Sequence, residues 1–404
     1  MSGITEAYPE YGSTNQLDIL RATQYDYLDR QNHIYLDYTG AGLAARAQLR
    51  AHHARLDGAT YGNPHSENPT SRSATDLVEQ ARNRVLSYLN ASPEEYQVIF
   101  TLNATGAAKL VGEAYPFAKN SRLVLTSDNH NSLNGLRDAE QLQRTYLPTS
   151  SLDLSTVNPT FVIVSWYKVF GFPTGVGCLI ARRDALVRLA RPYFAGGTVK
   201  AATVALPWHA LTSGEAAFED GTVNYLSIPD VHFGLDWISD IGIELIGTRV
   251  RCLTAWFIDS LLDLRHSDGS QMVILYGPRD MKARGGTVAF NFIDAEGKIV
   301  DERLVALESS RERISLRTGC FCNPGVGETV FGVSAKTLKH LAHQQEATFD
   351  DFLRIAHLPS GGAIRVSFGI ASTVEDAEYF ISFASKTYKD RVTTTDRLKP
   401  RLGC

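Results

Sequence analysis

Apolar residues occur along the first half of the chain either in short unbroken runs or at helical spacing. Unbroken runs lie at residues 96–100, 123–125 and 161–164, and such runs are typical of strands in a parallel sheet that is covered on both faces. Residues 75–89 instead carry apolar side chains three and four positions apart, which predicts an amphipathic helix. A second helix is expected to begin near residue 107. This half of the chain therefore predicts an α/β domain with a mainly parallel sheet.

The pattern changes near residue 240. A long helix is predicted near residues 249–264, and strands are predicted at residues 272–276, 287–292 and 314–317,. Elements of this kind make a smaller α+β domain. We therefore expect four parts: an N-terminal segment (1–30), a large domain (31–240), a small C-terminal domain (241–390) and a tail (391–404).

The end of the chain carries two local signals. Ser372 and Glu375 have the spacing of a capping box, which predicts that a helix opens at Glu375 and runs to about residue 388,. The residues after Lys389 are rich in Lys, Arg and Thr, and we expect this tail to be frayed.

Composition and charge exclude several classes of protein. The 404 residues carry a net charge of -4, which gives no basic footprint for nucleic acid or an anionic membrane,. Residues 1–16 are polar, and no apolar run is long enough to span a bilayer. The five cysteines are too sparse for a disulfide framework,. We expect a cytoplasmic enzyme with reduced thiols.

Lys168 is the first candidate for chemistry. It follows the apolar run at 161–164, and residues 165–175 read SWYKVFGFPTG. A lysine at the end of a buried strand, close to Ser and Tyr hydroxyls and a Gly/Pro turn, is placed to form a Schiff base in a desolvated pocket. On position alone, a surface lysine that begins a loop is the alternative.

The Lys168 segment resembles the pyridoxal phosphate (PLP) lysine segment of class V aminotransferase-like enzymes. Its YKVFGFPTG sequence is similar to that of molybdenum cofactor sulfurases. The resemblance runs from residue 34 to about 385, and it implies a PLP-dependent transferase of fold type I. Residues 218–225, FEDGTVNY, place Thr222 at a family position that reaches the phosphate of the neighbouring subunit, which implies a homodimer.

Other segments suit a phosphorylated cofactor. Residues 103–106, NATG, lie between a strand and a helix, where free N–H groups and the helix dipole favour an anion,, although most such turns only cap helices. His130 follows the run at 123–125, at the carboxyl edge of the predicted sheet, and a structural histidine is the alternative. By resemblance, His130 stacks on the PLP ring and assists proton transfers. The predicted cofactor-binding residues are Lys168, Ala104, Thr105, His130, Ser165, Tyr167 and Thr222.

Two cysteines form a second strong signal. Residues 316–325 read LRTGCFCNPG, and an exposed loop thiol near a cation can ionise and attack sulfur. The alternatives are two inert cysteines or half of a zinc site, but zinc needs a second pair of ligands that the sequence does not offer, so we predict no metal. In the resembled family, the cysteine that corresponds to Cys322 accepts sulfur as a persulfide. Cys320 is the less favoured acceptor.

Arg365 lies inside an apolar strand, in the segment GGAIRVSFG. A buried guanidinium requires an anion, and its planar fork matches a carboxylate; an internal salt bridge is the alternative. The resemblance assigns Arg365 to the α-carboxylate of an amino-acid substrate. It also assigns Asn63 and His65, in residues 63–66, to the entrance of the active site.

One part of the resembled family's pattern is missing. The interval between His130 and Lys168 is too short for the strand, helix and strand that members of the family place there,. We expect this unit to be absent between residues 138 and 160, together with the Asp that pairs with the pyridine nitrogen of PLP. Asp153 matches a loop after the missing strand and is not a replacement. A lost exon or splice variant, a degenerate protein and a rearranged site all remain open.

The sequence therefore predicts a PLP-dependent enzyme of the cysteine desulfurase or molybdenum cofactor sulfurase type. Its catalytic residues are Lys168, Cys322 and His130, and sulfur passes from L-cysteine to molybdenum cofactor, another protein or a metabolite. One alternative is a PLP-dependent C–S lyase that acts on a modified cysteine. The other is a truncated or degenerate relative without catalytic activity.

Overall fold

The secondary structure follows the alternation expected of an α/β protein. The computed structural model describes residues 2–118, 130–134, 147–282, 284–323, 325, 328, 331–334, 336–337, 339, 348–355, 358, 360–395 and 398–401. The strands are β1 Ile34–Tyr35, β2 Tyr96–Thr101, β3 Phe161–Ser165, β4 Gly177–Arg182, β5 Val199–Ala202, β6 His209–Leu211, β7 Val273–Tyr276, β8 Thr287–Phe292, β9 Ile314–Ser315, β10 Arg317–Gly319 and β11 Ala363–Ser367. The helices are α1 Ser2–Ala7, α2 Gln16–Gln24, α3 Tyr27–Arg30, α4 Arg46–Gly58, α5 Pro69–Tyr88, α6 Ala104–Ala114, α7 Asn131–Asn134, α8 Leu154–Val157, α9 Trp166–Phe170, α10 Arg183–Leu186, α11 Pro229–Ile241, α12 Ile243–Leu262, α13 Glu302–Arg311, α14 Phe349–Ile355 and α15 Val374–Tyr388. The strand predicted at residues 123–125 lies outside the described residues.

The chain divides into two compact units. The terminal unit consists of residues 1–40, 127–131 and 244–404, and the central unit consists of residues 41–126 and 132–243. The N-terminal segment, residues 1–30, thus belongs to the same unit as the C-terminal part of the chain. One reason is Arg249 on α12, which is fully buried and donates to Asp18 at 2.6 Å and to the hydroxyl of Thr14 at 2.6 Å.

The central unit contains a three-stranded sheet in the order β2-β4-β3. Strands β2 and β3 run in the same direction, as predicted, but β4 lies between them and pairs antiparallel with both. Both ladders of this sheet are therefore antiparallel. The sequence analysis did not assign β4, which is an apolar strand. Helix α6 packs on the sheet through a buried cluster formed by Ile99, Ala107, Val111, Leu179, Ala181 and Leu186.

The terminal unit contains an antiparallel sheet in the order β10-β11-β8-β7. Its core is aromatic: the ring centroid of Phe257 on α12 lies 5.3 Å from that of Phe368 and 5.4 Å from that of Phe380 on α15. Aromatic pairs at this separation contribute more than their buried area alone. The structure thus has the α+β architecture expected for this part of the chain.

The helix predicted from Glu375 to about residue 388 is confirmed as α15, but its predicted cap was wrong. Thr373, and not Ser372, caps α15: its hydroxyl accepts from the N–H of Asp376, whose side chain accepts in return from the N–H of Thr373. Ser372 instead accepts from the N–H of Gly369, because the chain turns tightly before the helix begins.

The tail is anchored where a frayed segment was expected. Arg401 donates to Glu302 at 2.7 Å and to Asp350 at 2.7 Å, and it is nine-tenths buried. Composition alone could not show these acidic partners, which are distant in sequence. No helix in the described ranges is long and apolar enough to cross a membrane.

Candidate active site

Lys168 lies just after the junction of a partly buried strand and a short helix. Strand β3 ends at Ser165, and α9 begins at the next residue, so Lys168 is part of a helical turn and not of an open loop. Trp166 is 1% exposed and its ring stacks on Phe170 at 5.8 Å. The N–H of Gly42 donates to the carbonyl of Tyr167 at 3.0 Å. These contacts fix the backbone on both sides of the lysine.

The predicted phosphate cradle forms at the N-terminus of α6. Asn103 is the N-cap, and its Oδ1 accepts from the N–H of Gly106 at 2.9 Å. The N–H of Ala104 donates to Ser165 Oγ at 3.3 Å. The hydroxyls of Thr105 and Ser132 lie 2.8 Å apart. Backbone N–H groups, hydroxyls and the positive end of the helix dipole together make a donor set suited to a phosphate.

Gly177 lets the cradle sit close to the sheet. It is paired with Thr101 on one neighbouring strand and with Ser165 on the other. A Cβ atom at this position would lie 2.6 Å from the carbonyl carbon of Asn103. A side chain here would push the N-cap of α6 away from Ser165.

We expect Gly177→Ala to weaken PLP binding by about tenfold or more, because overpacking against backbone typically costs about 1–3 kcal/mol. Titration of the purified protein with PLP, followed by absorbance, measures the change. Gly58→Ala is the matched control, since Gly58 lies in the same unit, away from the cradle, and its Cβ would have no neighbour within 4 Å. Equal PLP affinities for Gly177→Ala and Gly58→Ala would contradict this account of the cradle.

Three more predicted residues lie together in the central unit. Asn63 Nδ2 donates to Thr222 Oγ1 at 3.4 Å, and His65 Nε2 lies 3.2 Å from the carbonyl of Gly221. A cleft of about 290 Å³ is lined by Thr222 as well as by Asn103 and Gly106 of the cradle. The predicted entrance residues therefore adjoin the predicted phosphate contact.

In the terminal unit, Arg365 is held by an acid that the sequence analysis did not select. Its Nη2 donates to Asp37 Oδ1 at 2.8 Å, so the internal salt bridge does form. Arg317 Nη2 donates to Asp37 Oδ2 at 2.7 Å. This hydrogen bond is the largest influence that raises the pKa of Arg317, and the Cys322 thiol acts electrostatically in the same direction. A signal was present in the sequence, since Asp37 directly follows the apolar residues 34–36 and Arg365 lies within an apolar strand.

Gly40 makes room for this ion pair. A Cβ atom at this position would collide with the side chains of Asp37 and Arg317.

The loop that carries Cys322 is constrained on several sides. Phe321 and Cys322 both have φ of +56, a region that bulky residues rarely adopt,. The guanidinium of Arg365 lies over the Phe321 ring, 5.1 Å from its centroid. The N–H of Asn131 donates to the carbonyl of Cys322 at 2.8 Å. Backbone strain of this kind persists where surrounding contacts hold it, and it is common at functional sites.

The cysteines differ in their chemistry. Cys178 and Cys252 are buried free thiols, and burial raises the pKa of each. Cys322 is free and partly exposed. Cys320 is disulfide-bonded. The expectation of reduced thiols was therefore wrong for Cys320, because a disulfide depends on distances in the fold that spacing along the chain does not reveal. Among the free cysteines of the described residues, Cys322 is the accessible nucleophile.

His130 is exposed and directly precedes Asn131, whose N–H is bonded to the thiol loop. This contact places His130 one residue from an anchor of the Cys322 loop within the terminal unit. Its stacking on PLP stays a prediction. The predicted site residues therefore fall into two groups, with His130, Cys322 and Arg365 in the terminal unit and the others in the central unit.

Asp153 has a structural role. Its side chain accepts from the N–H of Ser155 at 2.9 Å and from Asn90 at 3.1 Å, capping the short helix α8. Hydrogen bonds from Ser155 and Asn90 lower the pKa of Asp153. In the described part of the chain, no group of three or more His, Cys, Asp or Glu side chains could hold a metal ion.

Comparison with known proteins decides the family. A sequence profile described as "Aminotransferase class-V" matches residues 34–146 and 145–380. The chain belongs to this family. The resemblance found from the Lys168 segment is thus confirmed, and the cofactor of this class V enzyme is PLP. The donor set at the N-terminus of α6 and the close approach at Gly177 fit the phosphate of PLP.

Similar sequences and structures agree with this assignment. The chain is 31% identical to the molybdenum cofactor sulfurase of Solanum lycopersicum, over 98% of this chain and 60% of that protein. It is 29% identical to the human molybdenum cofactor sulfurase, over 91% of this chain and 51% of that protein. The chain thus spans about half to three fifths of the length of these curated relatives.

Solved structures confirm fold type I. A cysteine desulfurase from Thermococcus onnurineus NA1 superposes with a TM-score of 0.72 at 19% identity, covering 91% of this chain and 97% of that one. A cysteine desulfurase from Escherichia coli has a TM-score of 0.68 at 16% identity, covering 92% of this chain and 98% of that one.

The comparisons also bear on the missing unit. The two segments of the family match meet at residues 145–146, inside the interval 138–160. The alignment with the tomato protein extends over 492 positions, more than the 404 residues of this chain, so that relative contains residues that this chain lacks. The absence of a unit between residues 138 and 160 stays a prediction.

Proposed function

We propose that this class V enzyme removes sulfur from L-cysteine and carries it as a persulfide on Cys322. The observation that carries the proposal is the partly exposed, free thiol of Cys322 on a strained loop whose neighbouring ring, Phe321, packs on Arg365. A nucleophilic sulfur and a carboxylate-binding arginine are the two groups that sulfur abstraction from an amino acid requires.

Each residue has a defined task in this reaction. Arg365 binds the α-carboxylate of L-cysteine, and Lys168 binds the cofactor and moves the α-proton. PLP, when bound, withdraws electrons from the substrate carbons. The Cys322 thiolate attacks the substrate sulfur, so that an S–S bond forms as the C–S bond breaks. The electron pair of the broken bond stays on the carbon skeleton, which takes up a proton and leaves as alanine.

The cradle residues position the cofactor for this chemistry. Ala104 and Thr105 at the start of α6, with Ser165 beside them, bind the phosphate through N–H and hydroxyl groups. Tyr167 and His130 complete the predicted set. We also infer a homodimer, in which Thr222 supplies a further phosphate contact from the neighbouring subunit. Asn63 adjoins Thr222 and shares its surface.

The sulfur acceptor is the open part of the proposal. Two relatives are named molybdenum cofactor sulfurases, and molybdenum cofactor, a protein or a small metabolite could take the persulfide sulfur. This chain spans only part of those relatives. Transfer of sulfur to molybdenum cofactor is therefore the most specific part of this hypothesis.

Product analysis tests the proposal. Purified protein loaded with PLP is incubated with L-cysteine, and alanine, pyruvate and protein-bound persulfide are quantified. A desulfurase forms one alanine for each persulfide in the first turnover and releases no pyruvate. A C–S lyase would release pyruvate and ammonia without alanine. A protein that binds PLP yet forms neither product would be a degenerate relative, and the desulfurase proposal would then be wrong.

A further inference from the structure

Asp37 bridges two arginines that face each other across a β ladder. Arg317 on β10 and Arg365 on β11 are directly opposite in register. Asp37 reaches both, because its backbone forms a parallel bridge with Ser367 at the end of β11. Its carboxylate accepts from Arg365 on one oxygen and from Nε and Nη2 of Arg317 on the other.

The charges of this cluster do not balance. Like charges placed directly opposite in a sheet repel each other, and Asp37 relieves that repulsion with a single negative charge. One carboxylate against two guanidinium groups leaves a formal charge of +1. Arg317 is half-exposed, so water can solvate its charge, whereas the side chain of Arg365 is nine-tenths buried. A second anion that joins the cluster would therefore stabilise Arg365 most.

Arg365 has a hydrogen-bond donor available for such an anion. Its side chain is nine-tenths buried, and its Nε has no hydrogen-bond partner among the described residues. A buried, unsatisfied donor of a charged group is costly unless a ligand satisfies it. Asp37 occupies Nη2, and the ring of Phe321 lies against the guanidinium. The orientation of the remaining donors is therefore set by residues outside the substrate.

We propose that Asp37 is a positioning residue, which aims Arg365 at the substrate carboxylate and holds Arg317 away from it. This proposal adds a residue to the function proposed above, and it rests on that function for the identity of the substrate. Asp37 acts on binding and not on bond breaking, so its loss alters KM for L-cysteine far more than kcat.

Chemical rescue tests this role. Asp37→Ala leaves space for a carboxylate of the size of formate. We expect this variant to raise KM for L-cysteine at least about tenfold, since truncating one partner of a buried charge pair is expensive, and sodium formate to lower KM again. Sodium chloride at equal ionic strength is the control for salt. A purely structural aspartate would change the folded fraction and would show no rescue specific to formate.

A second readout does not depend on turnover. We expect formate to raise the melting temperature of Asp37→Ala by more than chloride does, because a ligand that binds only the folded state stabilises it. Formate should have no such effect on Asp37→Ala/Arg365→Leu. Asp29→Ala is the matched control, because Asp29 also pairs with an arginine, Arg21, in the same unit. If Asp37→Ala does not fold, Asp37→Asn keeps the shape and removes the charge, and KM should still rise.

The outcomes separate the two proposals. An unchanged KM in the folded Asp37 variants, or no formate-specific stabilisation of Asp37→Ala, would overturn the role of Asp37. If L-cysteine is not a substrate but formate still stabilises Asp37→Ala more than chloride does, the role of Asp37 is supported and the proposed function is wrong. If alanine forms from L-cysteine but both formate tests are negative, the proposed function is supported and the role of Asp37 is wrong.

Discussion

Replacing Lys168 by alanine abolishes the visible absorbance band that PLP forms with the protein and the response of that band to L-cysteine. Lys168 is placed by two constraints, the end of strand β3 and the turn of α9, so neighbouring residues cannot take over its position. Loss of both the covalent link and the group that moves the proton should lower alanine formation by about 10²–10⁴-fold or more. Absorbance spectra with added PLP, followed by L-cysteine, measure the first effect.

Lys200→Ala is the matched control for this experiment. Lys200 lies on β5 in the same central unit and is exposed, so its removal should leave the band and its response unchanged. Adding free alkylamine to Lys168→Ala provides a further check, since an amine can replace part of the lost function. A band of equal strength in Lys168→Ala would show that another lysine holds the cofactor.

Much of the fold could be predicted because its signals are local. The run at 161–164 became β3, and the helical spacing at 75–89 lies within α5, Pro69–Tyr88. Strand β8, Thr287–Phe292, was predicted at the observed residues. In each case the period of the apolar side chains reports which face is buried. Side-chain period does not report strand direction, and for that reason the antiparallel insertion of β4 was not foreseen.

The candidate site was predictable only where a motif is contiguous. The cradle at residues 103–106 occupies the predicted strand-to-helix turn. Asp37 is separated from Arg317 by 280 positions in the sequence and from Arg365 by 328 positions. No local pattern encodes such a pairing. The disulfide at Cys320 has the same character. Both arise from tertiary distances, which a single sequence does not contain.

The predicted absence of a unit between residues 138 and 160 has a chemical consequence. If the Asp that partners the pyridine nitrogen is absent, every step that places negative charge on the substrate carbons should slow. The Lys168 spectra therefore separate binding of PLP, which the cradle supports, from turnover, which the predicted deletion would slow.

Replacing Cys322 by serine is expected to eliminate the protein-bound persulfide and to lower alanine formation from L-cysteine by at least about 10²-fold, since a hydroxyl is a far weaker nucleophile toward sulfur than a thiolate. The PLP absorbance band should remain, because Cys322 is not among the residues predicted to bind PLP. Mass spectrometry of the protein after L-cysteine treatment detects the persulfide as one added sulfur atom.

The control for this prediction is Cys252→Ala. Cys252 is a free but buried thiol of the same unit, and burial raises its pKa, so it should neither carry sulfur nor affect the rate. Persulfide on Cys322 in this variant, and its absence in Cys322→Ser, would assign the acceptor. Undiminished release of sulfur from L-cysteine by Cys322→Ser, with pyruvate as the co-product, would instead identify a C–S lyase. In that case the strain at Phe321 and Cys322 would need a cause other than sulfur transfer.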